Sequence, residues 1–327
     1  MTRVRLSDPR PGSGADGRLN VLLVAPMFEA PLDFAAAIEA ALPQVRIVRD
    51  GALEDSAIDV VIADDHANLG GRRFARVSTV LSLSAGIEHL LGIDALSGVR
   101  ICRLLTPEHQ QLMREYIVYQ LLASQELVRR AEAQQRSRKW GWLPPRPPIA
   151  GRHALVLGLG FLGEPCAQAL RNLGLVVTGL SRTGRDVPGI AVVSDQKALA
   201  EALQRTDFLV CLLPLTLETR MIIGAPQLAL LPRHAVVVNA SRPGCIDQAA
   251  LIEMLRSRRL AGAVLDILER EPAAPDDPIW RVPNLTITPH CAATPPCAAY
   301  LPAIIEAFAR LQVGEMPPNP VETLRGY

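Results

Sequence analysis

ALVLGLGFLGEPCAQAL, residues 154–170, is the stretch whose reading decides the fold. Ala154 to Leu157 is a short apolar run of the kind that a strand buried on both faces requires, and helical spacing follows at Ala167 and Leu170. Between them stands Gly158-Leu159-Gly160-Phe161-Leu162-Gly163. Gly158 permits a tight turn, Gly160 lets the backbone approach a pyrophosphate, and Gly163 lets helix and strand pack closely, with the helix's positive end toward the phosphates. The spacing alone also occurs in ordinary glycine-rich turns. Between a strand and a helix it predicts a dinucleotide site formed by Gly158, Gly160, Phe161, Leu162 and Gly163.

Outward from that turn the chain alternates. Downstream, apolar strand candidates stand at Val176–Leu180, Phe208–Leu213, Val236–Asn239, Ala263–Ile267 and Thr286–Thr288. Upstream they stand at Asn20–Pro26, Val45 onward (VRIVR), Asp59–Ala63, Thr79–Ser84 and Val99–Leu104, with a helical stretch from Leu32 to Leu42. Strands alternating with helices imply doubly wound parallel sheets. Helical spacing from about Pro107, through Leu112, Tyr116, Gln120 and Leu121, predicts one long helix that runs out among Arg136, Arg138 and Lys139. The Pro-rich Trp140–Pro148 then reads as an exposed joint. Asp247 is a candidate N-cap for a helix carrying Ala250, Leu251 and Leu255, with a basic last turn at Arg256, Arg258 and Arg259. A final helix from about Ala298 is expected to return to the first domain. The expected fold is α/β, with a Rossmann NAD(P)-binding domain over 106–297, a flavodoxin-like substrate domain over 1–105 plus 298–327, and a cleft between them.

Length and charge agree with that picture. At 327 residues the chain suits two cores rather than one. Lys plus Arg number 34 against 33 Asp plus Glu, so no whole-molecule field favours nucleic acid or an anionic membrane, and neither is an expected partner. The six cysteines include no CxxC pair and no metal is expected, which suits a reducing cytoplasm. Residues 1–17 lack an apolar signal core and read as a disordered lead, and no apolar stretch reaches the roughly 18 residues of a membrane span.

The end of the strand after the glycine turn selects the dinucleotide. An NAD site places a carboxylate there for the ribose hydroxyls, whereas this strand ends in Ser181 and Arg182. A hydroxyl beside a guanidinium suits a 2′-phosphate, and Arg185 adds a second charge, so NADP(H) is the preferred cofactor with NAD(H) possible. The alternative is that Arg182 is a solvated loop residue.

Three further segments end strands: VVVNASRPG with Arg242, AVLDILEREP with Asp266 and Glu271, and LTITPHCAA with His290. With the glycine turn before them, their order and spacing resemble the D-isomer-specific 2-hydroxyacid dehydrogenase family, whose signature continues N-x-x-R, D-x-x-x-x-E-P, T-P-H. The Ser181-Arg182 pair, SLSAGIEHLL near residue 82 and the closing RGY look most like the glyoxylate/hydroxypyruvate reductase branch. The resemblance implies NADPH-dependent reduction of a small 2-keto acid to its 2-hydroxy acid. His290 would act as acid/base, Glu271 would orient its ring and favour the protonated form, and Arg242 would bind and polarise the substrate. It also implies substrate contacts at Ser84, Ala85 and Gly86, and cofactor contacts at Leu213, Pro214, Thr216, Ala240, Ser241 and Asp266. A homodimer through the helix beginning near Pro107 is expected by the same resemblance.

Alternatives remain open at several positions. His290 taken alone could be a satisfied loop residue, Glu269 competes with Glu271, Asp266 could cap a turn, and Arg242 could pair with Asp247. The sequence departs from the family at Ser84 and at Pro243, where glycine is usual, and both departures bear on turnover. A bulkier keto acid, with Met27, Phe28 and Phe34 lining the pocket, is a second enzymatic reading. A non-catalytic NADP-binding regulator on the same fold is a third.

Overall fold

The computed structural model describes residues 17–26, 31–64, 67–125, 127–145 and 147–322. The expected disordered lead, Met27 and Phe28, and the closing Arg325-Gly326-Tyr327 fall outside them, except that Gly17 is described. The chain divides into two compact units, one running to Pro107 and resuming at Pro295, the other spanning Glu108–Thr294.

The first unit is built on β1 (Leu19–Val24), α1 (Pro31–Ala41), β2 (Val45–Val48), β3 (Val60–Ala63), β4 (Thr79–Ser82) and β5 (Arg100–Arg103). Its five strands are parallel in the order β2-β1-β3-β4-β5, the flavodoxin-like arrangement expected from the alternation. Every residue of β3 and β4 is buried, as strands covered on both faces must be. Phe34 is 3% exposed in this core, the commoner place for an aromatic residue beside a strand, and so does not line a pocket.

The second unit begins at Glu108 within α2 (Pro107–Ala123) and continues with α3 (Leu127–Ser137), where one long helix was expected. The Ser124 hydroxyl takes the Leu121 carbonyl at 2.7 Å, the local competition with helical bonding that serine offers. Of the residues read at helical spacing, Gln120 and Leu121 are buried and Tyr116 packs partly buried against the core, and the structure adds His109, Met113 and Ile117 to that face. There follow β6 (His153–Leu157), α4 (Gly163–Asn172), β7 (Val176–Leu180), β8 (Ala191–Val193), α5 (Gln196–Leu203), β9 (Phe208–Cys211), α6 (Ala225–Leu230), β10 (Val236–Asn239), α7 (Gln248–Arg256), β11 (Gly262–Leu265) and β12 (Leu285–Ile287). Seven parallel strands take the order β12-β11-β10-β9-β6-β7-β8. Along β6 the pleat sends Leu155 and Leu157 into one apolar layer and Ala154 and Val156 into the other. Each fully buried Leu or Val contributes about 1.5–3 kcal/mol, so the helices on both faces fix the sheet and hence its loops. The edge strand β8, only three residues long, is too short to show a periodicity in sequence.

Asp247 caps α7 by accepting the Ala250 amide at 2.9 Å. The helix closes at Arg256, so Arg258 and Arg259 lie just beyond it. The last helix, α8 (Cys297–Gln312), places Tyr300, Ile304, Ala307 and Phe308 in the first unit's core, on one stripe. Among the described residues no helix is long and apolar enough to cross a membrane.

Candidate functional site

In the second unit every site loop leaves the carboxyl end of a strand, where open parallel sheets place their ligand crevice. After β6, Gly158 has φ +95°, and a Cβ there would meet the Leu212 carbonyl oxygen at 2.8 Å. A Cβ on Gly163 would stand 1.7 Å from the Gly158 carbonyl oxygen, so only glycine lets α4 approach β6 this closely. Gly160 differs, because its Cβ position has nothing within 4 Å and faces open space. That open face, at the positive end of the α4 dipole, fits a pyrophosphate. Gln110 of α2 braces the turn by donating to the Phe161 carbonyl at 2.9 Å, and Phe161 is 39% exposed at the rim. Leu162 stands at the N-cap of α4.

At the end of β7, the Ser181 amide is bonded to the Val193 carbonyl and its hydroxyl meets the Thr183 hydroxyl at 3.3 Å. Arg182 is exposed and makes no hydrogen bond or ion pair among the described residues. Arg185 does not stand beside it as an idle second charge. Its guanidinium donates to the Leu159 carbonyl and pairs with Glu164 in the first turn of α4. No carboxylate lies at the β7 end to receive ribose hydroxyls.

The next two loops fasten each other. After β9, Thr219 donates its hydroxyl to the Pro214 carbonyl at 2.6 Å and accepts the Thr216 amide at 2.7 Å, closing the Leu213–Thr216 loop on itself. Cys245 sends its thiol toward the Leu213 and Pro214 carbonyls at 3.8 and 3.7 Å. After β10, buried Asn239 builds the turn that presents Arg242: its Oδ1 accepts the Ser241 amide and hydroxyl, and its Nδ2 donates to the Arg242 carbonyl at 3.2 Å. Ala240 bonds through its amide to the Cys211 carbonyl, and the Arg242 guanidinium donates to the Ser241 carbonyl at 2.7 Å. Asp247 accepts the Ala250 amide as the cap of α7, while Arg242 bonds within its own turn.

After β11 and β12 the two carboxylates take different tasks. Asp266 is 2% exposed, and its carboxylate accepts the Thr288 hydroxyl at 2.5 Å, the Cys291 amide at 3.0 Å and the Ala292 amide at 2.9 Å. These are the contacts of a turn cap. Glu271 accepts the Leu268 amide at 2.8 Å on one oxygen and meets His290 Nδ1 at 3.0 Å with the other. Glu269, its competitor in sequence, is exposed, and its amide bonds to Gln248. The His290 and Glu271 side chains are 30% and 32% exposed, too wet for the pair to add much stability, so its physical effect is to fix the ring's orientation and tautomer. His290 itself has φ +53° and is held by amide bonds to the Asp266 and Thr288 carbonyls at 2.8 and 3.0 Å.

In the first unit the turn after β4 carries Ser84, Ala85 and Gly86. The Ser84 amide is already taken by the Ser82 hydroxyl at 3.2 Å, and that hydroxyl donates to the Ser84 carbonyl at 3.1 Å. Among the described residues the amides of Ala85 and Gly86 have no such partner, leaving two donors rather than three. Tyr116, whose hydroxyl lies 2.7 Å from Thr288 Oγ1, escapes sequence reasoning because a tyrosine at helical spacing reads as core. Asn239 is legible as part of N-x-x-R, but its task in shaping the turn is not.

Comparison with known proteins identifies the family. The family model for the NAD binding domain of D-isomer specific 2-hydroxyacid dehydrogenases matches residues 118–292. Over 323 residues, 94% of this chain and 100% of the relative, the chain is 30% identical to glyoxylate/hydroxypyruvate reductase A of Salmonella paratyphi B. An NADPH-dependent glyoxylate/hydroxypyruvate reductase of Sinorhizobium meliloti, solved with NADP and sulfate, is similar at TM-score 0.84 and 31% identity, covering 95% of this chain and 100% of that one. A D-isomer specific 2-hydroxyacid dehydrogenase of Xanthobacter autotrophicus Py2, solved with NADPH and MES, gives 0.83 and 30% over 95% and 100%. With the glycine turn, the Asn239–Arg242 turn and the Glu271–His290 pair each at its strand end, this chain belongs to the D-isomer specific 2-hydroxyacid dehydrogenase family.

Proposed function

We propose that this chain reduces a small 2-keto acid of the glyoxylate and hydroxypyruvate kind to the 2-hydroxy acid, with NADPH as reductant. The contact that carries the reading is His290 Nδ1 against Glu271, whose other oxygen is anchored on the Leu268 amide. Carbonyl reduction needs a proton for the developing alkoxide and a cation near the substrate, and NADPH, when bound, supplies the hydride. With Nδ1 engaged by Glu271, Nε2 of His290 delivers the proton in reduction and accepts it in the reverse direction. Arg242 binds and polarises the keto acid, and the Ala85 and Gly86 amides grip a carboxylate. The second unit is the NAD(P)-binding domain and the first the substrate domain.

The preference for NADPH rests on Ser181 and Arg182 at the end of β7, and the NADP(H) complexes of the Sinorhizobium and Xanthobacter relatives support it. NADH remains a weaker alternative. The exposed Tyr119, Leu122 and Leu127 of α2 and α3, with Trp140 and Trp142 at 89% and 90% exposure, support a homodimer formed on that side of the unit. None of the six cysteines is in a disulfide, which accords with a cytoplasmic enzyme.

The test is oxidation of NADPH and NADH by purified protein with glyoxylate, hydroxypyruvate, pyruvate and phenylpyruvate, beside His290→Ala. Rapid NADPH oxidation with the two named acids, lost in the variant, is expected. Turnover confined to phenylpyruvate would replace the substrate assignment, and tight NADPH binding without any turnover would replace the enzyme by a nucleotide-binding regulator. Light scattering on a sizing column reads the dimer separately.

A further inference from the structure

We infer that Tyr116 of α2 is a positioning residue for His290, acting through a hydrogen-bonded line of Tyr116, Thr288 and Asp266. The inference rests on the reading of His290 as proton donor.

The direction of each bond follows from the protons available. Thr288 has one hydroxyl proton, which it gives to Asp266 Oδ1 across 2.5 Å. The Thr288 oxygen can therefore only accept from Tyr116, 2.7 Å away, so the phenol is the donor. Burial, opposed by the Thr288 hydrogen bond and helped by nearby Asp266, pushes the Tyr116 phenol well above its ordinary value, which keeps that proton in place. The same carboxylate then gathers the Cys291 and Ala292 amides, at 3.0 and 2.9 Å, on the far side of His290. His290 is thus bracketed by residues that all converge on one buried carboxylate.

The bracket matters because His290 occupies the left-handed backbone region at φ +53°, which a side chain with a Cβ adopts only when its surroundings enforce it. Its amide bonds to the Asp266 and Thr288 carbonyls hold the backbone, and the Thr288 side chain is locked from the helix side by Tyr116. Without the phenolic hydroxyl, the Thr288 oxygen loses its donor and its rotamer loses a constraint. The imidazole would then sample orientations that do not deliver the proton. Tyr116 and Gln110 flank Met113 on the α2 surface, so the helix that steadies the His290 loop also braces the Phe161 carbonyl of the phosphate turn.

The experiment compares full-length wild type, Tyr116→Phe, Thr288→Val and Thr288→Ser in steady-state reduction, NADPH binding by fluorescence, and amide hydrogen exchange of the segment 285–295. Tyr116→Phe is expected to lower kcat about tenfold, the equivalent of one lost hydrogen bond. KM and the NADPH dissociation constant stay within about twofold of wild type, and exchange in 285–295 quickens while the rest of the unit keeps its protection. Thr288→Val falls with it, and Thr288→Ser, which restores the hydroxyl, recovers most of the lost rate. Wild-type kcat and exchange in Tyr116→Phe would overturn the inference, as would a general loss of protection with KM, kcat and NADPH binding failing together, since that is packing. If the wild type turns over no keto acid, the functional reading fails, and the exchange comparison alone decides whether Tyr116 holds the loop.

Discussion

Gly160 and Gly163 stand three residues apart in one motif, yet the space around them differs so much that alanine at each should produce a different defect. At Gly163 an added Cβ would lie 1.7 Å from the Gly158 carbonyl oxygen, and that oxygen would have to retreat by about 1.3 Å to reach even a 3.0 Å contact. The Gly158 oxygen belongs to a turn at φ +95° pressed against Leu212, so the strain passes into the β6–α4 packing. Overpacking that moves backbone costs about 3 kcal/mol at the upper end of the usual range. For a unit of this size that lowers Tm by roughly 6–12 °C. At Gly160 the same methyl meets nothing within 4 Å and the backbone is not left-handed, so Tm should stay within about 1 °C of wild type. The methyl instead occupies the face where a pyrophosphate approaches, and losing one charge-assisted contact weakens NADPH binding about 10- to 100-fold. Differential scanning fluorimetry and a fluorescence titration with NADPH on both variants read the two effects separately. A Gly160→Ala protein that binds NADPH as wild type does, or a Gly163→Ala protein with an unchanged Tm, would refute the reasoning.

Three further outcomes follow from other contacts. Arg182→Ala should cut kcat/KM with NADPH about tenfold and leave NADH nearly unchanged, because the exposed guanidinium has only the 2′-phosphate to serve; equal losses with both cofactors would remove it from the discrimination. Burial alone would raise the Asp207 carboxyl, but the His153 amide, Arg152 and His234 together hold it below its ordinary value. A depressed carboxyl adds stability that is fully present above its unfolded value of about 4 and lost as the pH falls through the folded one, so the deficit of Asp207→Asn, about 2 kcal/mol at pH 7, should shrink toward pH 3 in urea denaturation. Burial pushes Cys102 up to about 11 and Cys166 up to about 12, and burial with Asp266 raises Cys291 too, but Cys291 is the exposed one of the three. In native protein at pH 8 a disulfide reagent should therefore reach Cys291 first, and Cys102 and Cys166 only after unfolding, as mass mapping of the labelled peptides would report.

The parts of the molecule legible in sequence are those whose cause is local. A parallel strand covered on both faces must be a continuous apolar run, and β3, β9 and β10 are such runs. Gly163 is written in sequence because no other residue fits there, and Glu271 because it precedes Pro272 in a spaced motif. What stayed hidden depends on partners far along the chain. The Arg185–Glu164 pair joins residues 21 apart, and Tyr116 meets Thr288 across 172. The break between α2 and α3 was hidden for another reason: Ser124 bonding its own turn leaves the surrounding periodicity almost intact. Helical spacing placed Tyr116 on a face but could not say that its hydroxyl ends on the loop carrying His290.

Pro243, a departure from the family's usual glycine, bears on whether Arg242 is correctly presented. Proline removes an amide, but it stands at the first position of a short 3-10 turn, Pro243–Cys245, where that amide has no partner within the turn. Proline also disfavours helical backbone in the residue before it, and Arg242 has φ −137° and ψ 139°, inside the extended region a following proline promotes. The departure therefore narrows the conformations open to Arg242 around the one the turn uses. The Asn239 side chain holds the Arg242 carbonyl from the opposite side, and the Met221 and Ile223 amides tie the turn at Gly244 and Cys245. Glycine at 243 would have to obtain the same restriction from those contacts alone, at a greater cost in unfolded-chain entropy. Pro243 is thus a departure that the turn's geometry accepts and that restrains the Arg242 backbone to the conformation the turn uses.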